Sequence, residues 1–144
     1  MNQFSLIYDY VDTDGINVIK CWLDGLDTRI RAKLTVKLNT LEQMNRAEWN
    51  LAGTEVLKGN KDGLVAVRVE YQGIAYRLIG YDGPSRGEFT LLAYCTERGG
   101  KYTPLDVGRT AFDRRRVVEQ DPARKRRKRH DFGRQGTTDT RKSG

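Results

Sequence analysis

Arg68 and Arg77 are the first residues from which a chemistry can be argued. They sit in two alternating stretches, residues 64–71 and 74–81, separated only by Gln72-Gly73. Gly supplies the positive φ that a two-residue hairpin turn requires. If Tyr71 faces Ile74, residues whose numbers sum to 145 pair across the strands, and Arg68 lies directly opposite Arg77. The Cβ atoms of such a pair are about 4.5–5.5 Å apart. Like charges at that separation repel, and an anion shared between two guanidiniums, such as a phosphate, would reconcile them. Pairing with Glu70 or with carboxylates elsewhere, on an exposed face, would do the same. The opposite face, with Val65, Val67, Val69, Tyr76 and Leu78, reads as core.

A second cationic feature is the run Arg124-Lys125-Arg126-Arg127-Lys128-Arg129. The chain carries 26 Lys+Arg against 19 Asp+Glu, a net charge of +7. Residues 114–144 hold 12 basic and 4 acidic side chains, so residues 1–113 are left at −1. A near-neutral body thus carries a basic tail, which predicts a salt-sensitive hold on phosphates or simply a solubilising extension.

Other chemistries are disfavoured by what the 144 residues contain. His130 is the only His and lies in the basic tail, which leaves Ser-His-Asp or Cys-His catalysis without a well-placed base. Cys21 and Cys95 are too few for a disulfide framework or a zinc cluster. No apolar run approaches the roughly 18 residues of a membrane span. Met1-Asn2-Gln3-Phe4 does not open a signal peptide. The expectation is a soluble, cytoplasmic protein with no cofactor and no metal.

The elements that must position these residues follow from period and punctuation. Residues 4–10 are rich in β-branched and aromatic side chains and predict a first strand. Ile16, Ile19, Trp22, Leu23 and Leu26 recur at helical spacing. Asp27 or Thr28 can cap a second helix whose apolar stripe is Ile30, Leu34, Leu38 and Leu41. A short joint between them predicts an antiparallel helical hairpin, with Arg29, Arg31, Lys33 and Lys37 on a solvated face. After the 64–81 hairpin, residues 89–95 make a third strand. Thr103-Pro104-Leu105-Asp106 predicts a helix start with Thr as N-cap, running to about residue 118 with Val107, Ala111 and Val118 inward. From Gln120 on, few apolar residues remain, and a disordered tail is expected. The order β-α-α-β-β-β-α-tail predicts an α+β domain over 1–118 and a basic tail over 119–144.

With the elements in this order, residues 64–111 resemble the RelE/ParE toxin superfamily, most closely its HigB-like, phage-derived branch. The carrying motifs are Val65-Ala66-Val67-Arg68, Tyr76-Arg77-Leu78-Ile79, Leu91-Leu92-Ala93-Tyr94, and Thr103-Pro104 followed by Ala111. Val56-Leu57-Lys58-Gly59 and the preceding helices fit as well, so the resemblance covers residues 4–118. It implies a RelE-like fold: an N-terminal strand and helical hairpin packed on a small, mainly antiparallel sheet, with a C-terminal helix.

The same resemblance implies a toxin of a toxin-antitoxin system, an endoribonuclease (mRNA interferase) that cuts mRNA, usually on the ribosome, without metal. In that reaction the ribose 2′-OH attacks the adjacent phosphate and leaves a 2′,3′-cyclic phosphate and a 5′-OH. The implied catalytic set is Arg68 and Arg77 as phosphate clamp, Arg98 or Lys101 as further stabiliser, and Tyr94 as a stacking or proton-transfer group. Glu97 or Lys58 would assist, and RNA would be held by Lys58, Arg109, Arg124, Lys125, Arg126, Arg127, Lys128 and Arg129. Where the family has a basic pair this chain has Arg98 and Gly99, and where it often has His this chain has Tyr94. Two other readings stay open: a non-catalytic, ParE-like inhibitor of DNA gyrase, and a phage accessory protein that binds nucleic acid through its basic tail. The implied partners are mRNA and a cognate antitoxin, often with a helix-turn-helix.

Overall fold

The computed structural model describes residues 5–57 and 63–129. Seven strands form one sheet: β1 (Leu6–Tyr10), β2 (Thr54–Val56), β3 (Val65–Tyr71), β4 (Ile74–Asp82), β5 (Glu88–Arg98), β6 (Lys101–Thr103) and β7 (Arg126–Lys128). The helices are α1 (Val18–Asp24), α2 (Thr28–Glu42), α3 (Val107–Gln120) and the single turn α4 (Pro122–Lys125), with a 3₁₀ segment at Arg46–Ala52. The sheet order is β2-β3-β4-β5-β1-β7, with β6 pairing the far end of β5. Only β1 and β5 run parallel; every other pair is antiparallel. The α+β class and the mainly antiparallel sheet therefore hold.

The central hairpin has the expected register. Gln72 (φ 52°) and Gly73 (φ 82°) both take positive φ, the two-residue geometry whose twist suits the flanking strands. Tyr71 faces Ile74 and Arg68 faces Arg77. Further along, β4 and β5 lose register between Ile79 and Gly80, since Ile79 faces Ala93 and Gly80 faces Leu91. Leu92 is the extra residue of this bulge, and the pleat of β5 changes face there. Gly80 permits it: a Cβ at that position would come 2.3 Å from the Thr90 carbonyl oxygen.

Both faces of the sheet are covered. On one, α1 lies against β1 and β5, and α2 against β3. The stripe Ile30, Leu34, Leu38 and Leu41 meets Val65, Val67, Val69 and Leu78 there, around the fully buried Trp49 and Phe89. Asp27 caps α2, its carboxylate accepting from the Arg29 N–H at 2.8 Å. On the other face, α3 places Val107, Ala111 and Val118 on Ala66, Ile79, Ala93 and Cys95. The face that carries Arg68 and Arg77 is thus largely a second core; Ala66 and Ile79 are fully buried.

Two expectations are corrected. Helix α3 begins at Val107, with Asp106 at its N-cap position, and not after Thr103. Thr103 is taken up by β6, facing Thr96 of β5, so it cannot cap a helix. The tail expected to be disordered from Gln120 is ordered as far as Arg129. Residues 126–128 pair antiparallel with β1 and close that edge of the sheet, and the Arg129 N–H donates to the Ile7 carbonyl at 3.0 Å. The physical reason is local neutralisation. Arg126 meets Glu88 at 2.8 Å and lies 3.8 Å over the Tyr8 ring, and Arg129 meets Glu42 at 2.8 Å.

Candidate active site

Five neighbouring strands each contribute a polar side chain to one row across the α3 side of the sheet. Glu55 of β2 faces Ala66, which shares its side with Arg68 on β3. Arg77 of β4 faces both Arg68 and Cys95, and Glu97 of β5 faces Ala75 and Tyr102 of β6. Alternation along each strand puts all of these on one side.

Arg77 is the centre of the row, with 7% of its surface exposed. Its Nη2 donates to Glu55 Oε2 at 2.7 Å, and its Nη1 donates to Glu97 Oε1. The Tyr102 ring lies 5.4 Å from the guanidinium carbon. Burial works against the charge on Arg77, but the hydrogen bond to Glu55 and the charge of Glu97 outweigh it, so its pKa is raised. The Tyr102 phenol is also raised, first by burial and then by Glu97 against the opposing pull of Arg77. Burial pushes the neighbouring Cys95 thiol up to about 11. One cation, two carboxylates and a neutral phenol can in principle take a proton, stabilise an anion and return a proton.

Arg68 is directly opposite Arg77 in register, yet its guanidinium is engaged separately, 3.4 Å from Glu70. The repulsion between the two arginines is relieved by different carboxylates, which was the alternative to a shared anion.

The other expected residues are dispersed. Tyr94 faces Leu78, one residue out of phase with Arg77, and so lies on the opposite side of the sheet. There its ring stacks on Trp22, 4.8 Å between centroids and 9° between planes. Arg98 and Lys101 face each other across the exposed Gly99-Gly100 turn, alternating with Glu97 and hence on the side of Tyr94. Arg109 is exposed on α3, 3.6 Å from Asp113. Arg124 is exposed and 3.0 Å from Asp121; Lys125 is half-buried, with its backbone carbonyl accepting from Val11. Arg127 is half-buried opposite Asp9, and Lys128 is exposed opposite Tyr8. Arg126 and Arg129 are turned to internal ion pairs, each with 9% of its side chain exposed, which corrects their reading as RNA-facing charges. Lys58 and His130 lie outside the described residues.

Glu55 and Tyr102 are the members of the row that the sequence reading missed. Each lies in a three-residue strand, too short to show alternation, and each meets Arg77 only through sheet pairing. Among the described residues, no three His, Cys, Asp or Glu side chains converge to hold a metal ion. No helix among them is long and apolar enough to cross a membrane. No family model, no curated protein and no solved structure matches the chain.

Proposed function

We propose that this protein is a toxin of the RelE/ParE type, acting in the cytoplasm as an endoribonuclease on mRNA without a metal ion. The observation that carries the reading is the row Glu55–Arg77–Glu97–Tyr102, an acid-base set assembled around a guanidinium on neighbouring strands. The order of elements from β1 through α3, with β1 parallel to β5 beside an antiparallel meander, supports it further.

In this reading an RNA phosphate replaces a carboxylate on Arg77, an exchange that guanidinium geometry favours. The freed Glu97 carboxylate accepts the proton of the ribose 2′-OH, whose oxygen bonds to phosphorus. The P–O5′ bond breaks, and the leaving 5′-oxygen takes the Tyr102 phenol proton. The products are a 2′,3′-cyclic phosphate and a 5′-OH, and the proton on Glu97 returns to Tyr102 through solvent. Arg77 offsets the extra negative charge at phosphorus. Tyr102 replaces Tyr94 in the proton-transfer role, because Tyr94 lies across the sheet.

A second reading, a non-catalytic ParE-like inhibitor, is favoured by the pairing of both terminal nitrogens of Arg77 with carboxylates. In either case an antitoxin is the expected partner. Leu51 on the 3₁₀ segment (77% exposed) and Val56 on β2 (65%) are apolar side chains open to it.

Controlled expression, followed by growth and by mapping of mRNA 5′ ends, separates these readings. Arrest with new ends, both lost in Glu97→Gln, is the expected result. Arrest with intact mRNA would reject cleavage and leave inhibition by binding.

A further inference from the structure

A second cationic place lies on the other side of Arg68. β2 pairs only with Val65, Ala66 and Val67, so from Arg68 onward the β3 edge has no strand partner among the described residues. Between this edge and α2 opens a cleft of about 700 Å³. Small-molecule sites fall between about 300 and 1,000 Å³. Its cations are Lys33, Lys37 and Arg68, beside Thr40; Val36 and Val69 are among its apolar residues, and Glu70 is the one carboxylate lining it.

Lys37 is held in this cleft by specific local structure. Its Nζ donates to the Ala52 carbonyl at 2.6 Å. Gly53 leaves the room for it: a Cβ there would come 2.8 Å from Nζ, and φ of +92° also favours glycine. Burial, then Arg68, then Lys33 lower the Lys37 pKa. One ammonium hydrogen has an acceptor, and Glu70 is already 3.4 Å from Arg68. Three cations converge beside one committed carboxylate, with an apolar wall next to them. That combination suits an anion carried on a flat or aliphatic body.

We propose that the cleft between α2 and the β3 edge binds a nucleotide, its phosphate held by Lys33, Lys37 and Arg68 and its base or sugar lying against Val36 and Val69. Apart from Arg68, the site uses no residue of the Arg77 row, and the proposal stands whether or not the chain cuts RNA. Its phosphate could belong to a free mononucleotide or to a nucleotide within an RNA strand.

The test is an amide NMR titration of the ¹⁵N-labelled full chain with AMP, with a short single-stranded RNA, and with inorganic phosphate. Saturable shifts are expected on residues 33–40 and 68–70. Affinity should fall about tenfold in Lys37→Gln and severalfold in Lys33→Gln. Lys33 is exposed, so that variant keeps its fold, and the spectrum itself reports folding. Saturation by AMP assigns a free nucleotide, whereas saturation by RNA with much weaker AMP binding assigns a strand; either supports the site. Shifts confined to β4–β6 or β7, unchanged affinity in both variants, or inorganic phosphate binding as tightly as AMP would overturn it.

Discussion

Removing the Arg77 guanidinium would leave Glu55 and Glu97 facing a buried position with no cation between them. Breaking a buried pair costs about 3–5 kcal/mol when both partners are enclosed. Glu97 is 25% and Glu55 47% exposed, so water takes up part of that charge. Arg77→Met should therefore lower stability by about 3 kcal/mol in urea unfolding, and Glu55→Gln by less than about 1 kcal/mol. Equal losses would mean that Glu55 is not the weaker partner. The two thiols offer an independent check. Cys21 is exposed and Cys95 buried, so a thiol reagent at pH 8 should label Cys21 quickly and Cys95 only after unfolding. The raised Cys95 pKa also has a sign. Its stability contribution is present below its ordinary value of 9.0 and is lost as pH rises through about 11. Cys95→Ala should lack that part of the alkaline decline, seen as the difference between the two pH-stability curves.

At the scale of elements, the hairpin shows what a sequence can specify. A two-residue turn fixes register, and register fixes which residues face each other, so the Arg68–Arg77 pair was legible from Gln72-Gly73 alone. Gln72 nonetheless holds a positive φ without being Gly or Asn. Gln72→Asn should stabilise the chain by roughly 0.5 kcal/mol, since Asn tolerates that conformation better. An unchanged unfolding midpoint would contradict this. Gly80→Ala should do the reverse and cost about 2–3 kcal/mol or more, because the added Cβ meets a backbone carbonyl oxygen and not a flexible side chain. Helix α2 was equally legible, for its cap and its four-residue stripe agree. The start of α3 was not: Thr103-Pro104 carries a cap signature, but Thr103 is used by a strand whose pairing depends on β5. The bulge at Leu92 was also hidden, and with it the change of face that puts Glu97, and not Tyr94, beside Arg77.

For the molecule as a whole, the misread tail is instructive. Six consecutive cations look solvated when taken alone, yet Glu88, Glu42 and Tyr8 lie far away in sequence and close in space. Composition cannot reveal such partners. Deleting residues 121–144 should expose the β1 edge, lower the melting temperature by several degrees and promote self-association, read by thermal scans and light scattering. A truncated chain that stays monomeric and equally stable would show that β7 is dispensable. The same reasoning reassigns the molecule's cationic surface. Arg126 and Arg129 serve the fold, while Lys33, Lys37 and Arg68 remain on an open cleft.

Acid-base chemistry on RNA by the row around Arg77, as proposed above, has a direct readout in the ends it would leave. The most direct measurement is incubation of the purified chain with end-labelled RNA in chelator, with and without ribosomes, followed by mass analysis of the new ends. The expected products are 2′,3′-cyclic phosphate and 5′-OH termini, with the rate reduced about 10²-fold or more in Glu97→Gln and in Tyr102→Phe. No cleavage in either setting, or cleavage unaffected by both substitutions, would contradict it.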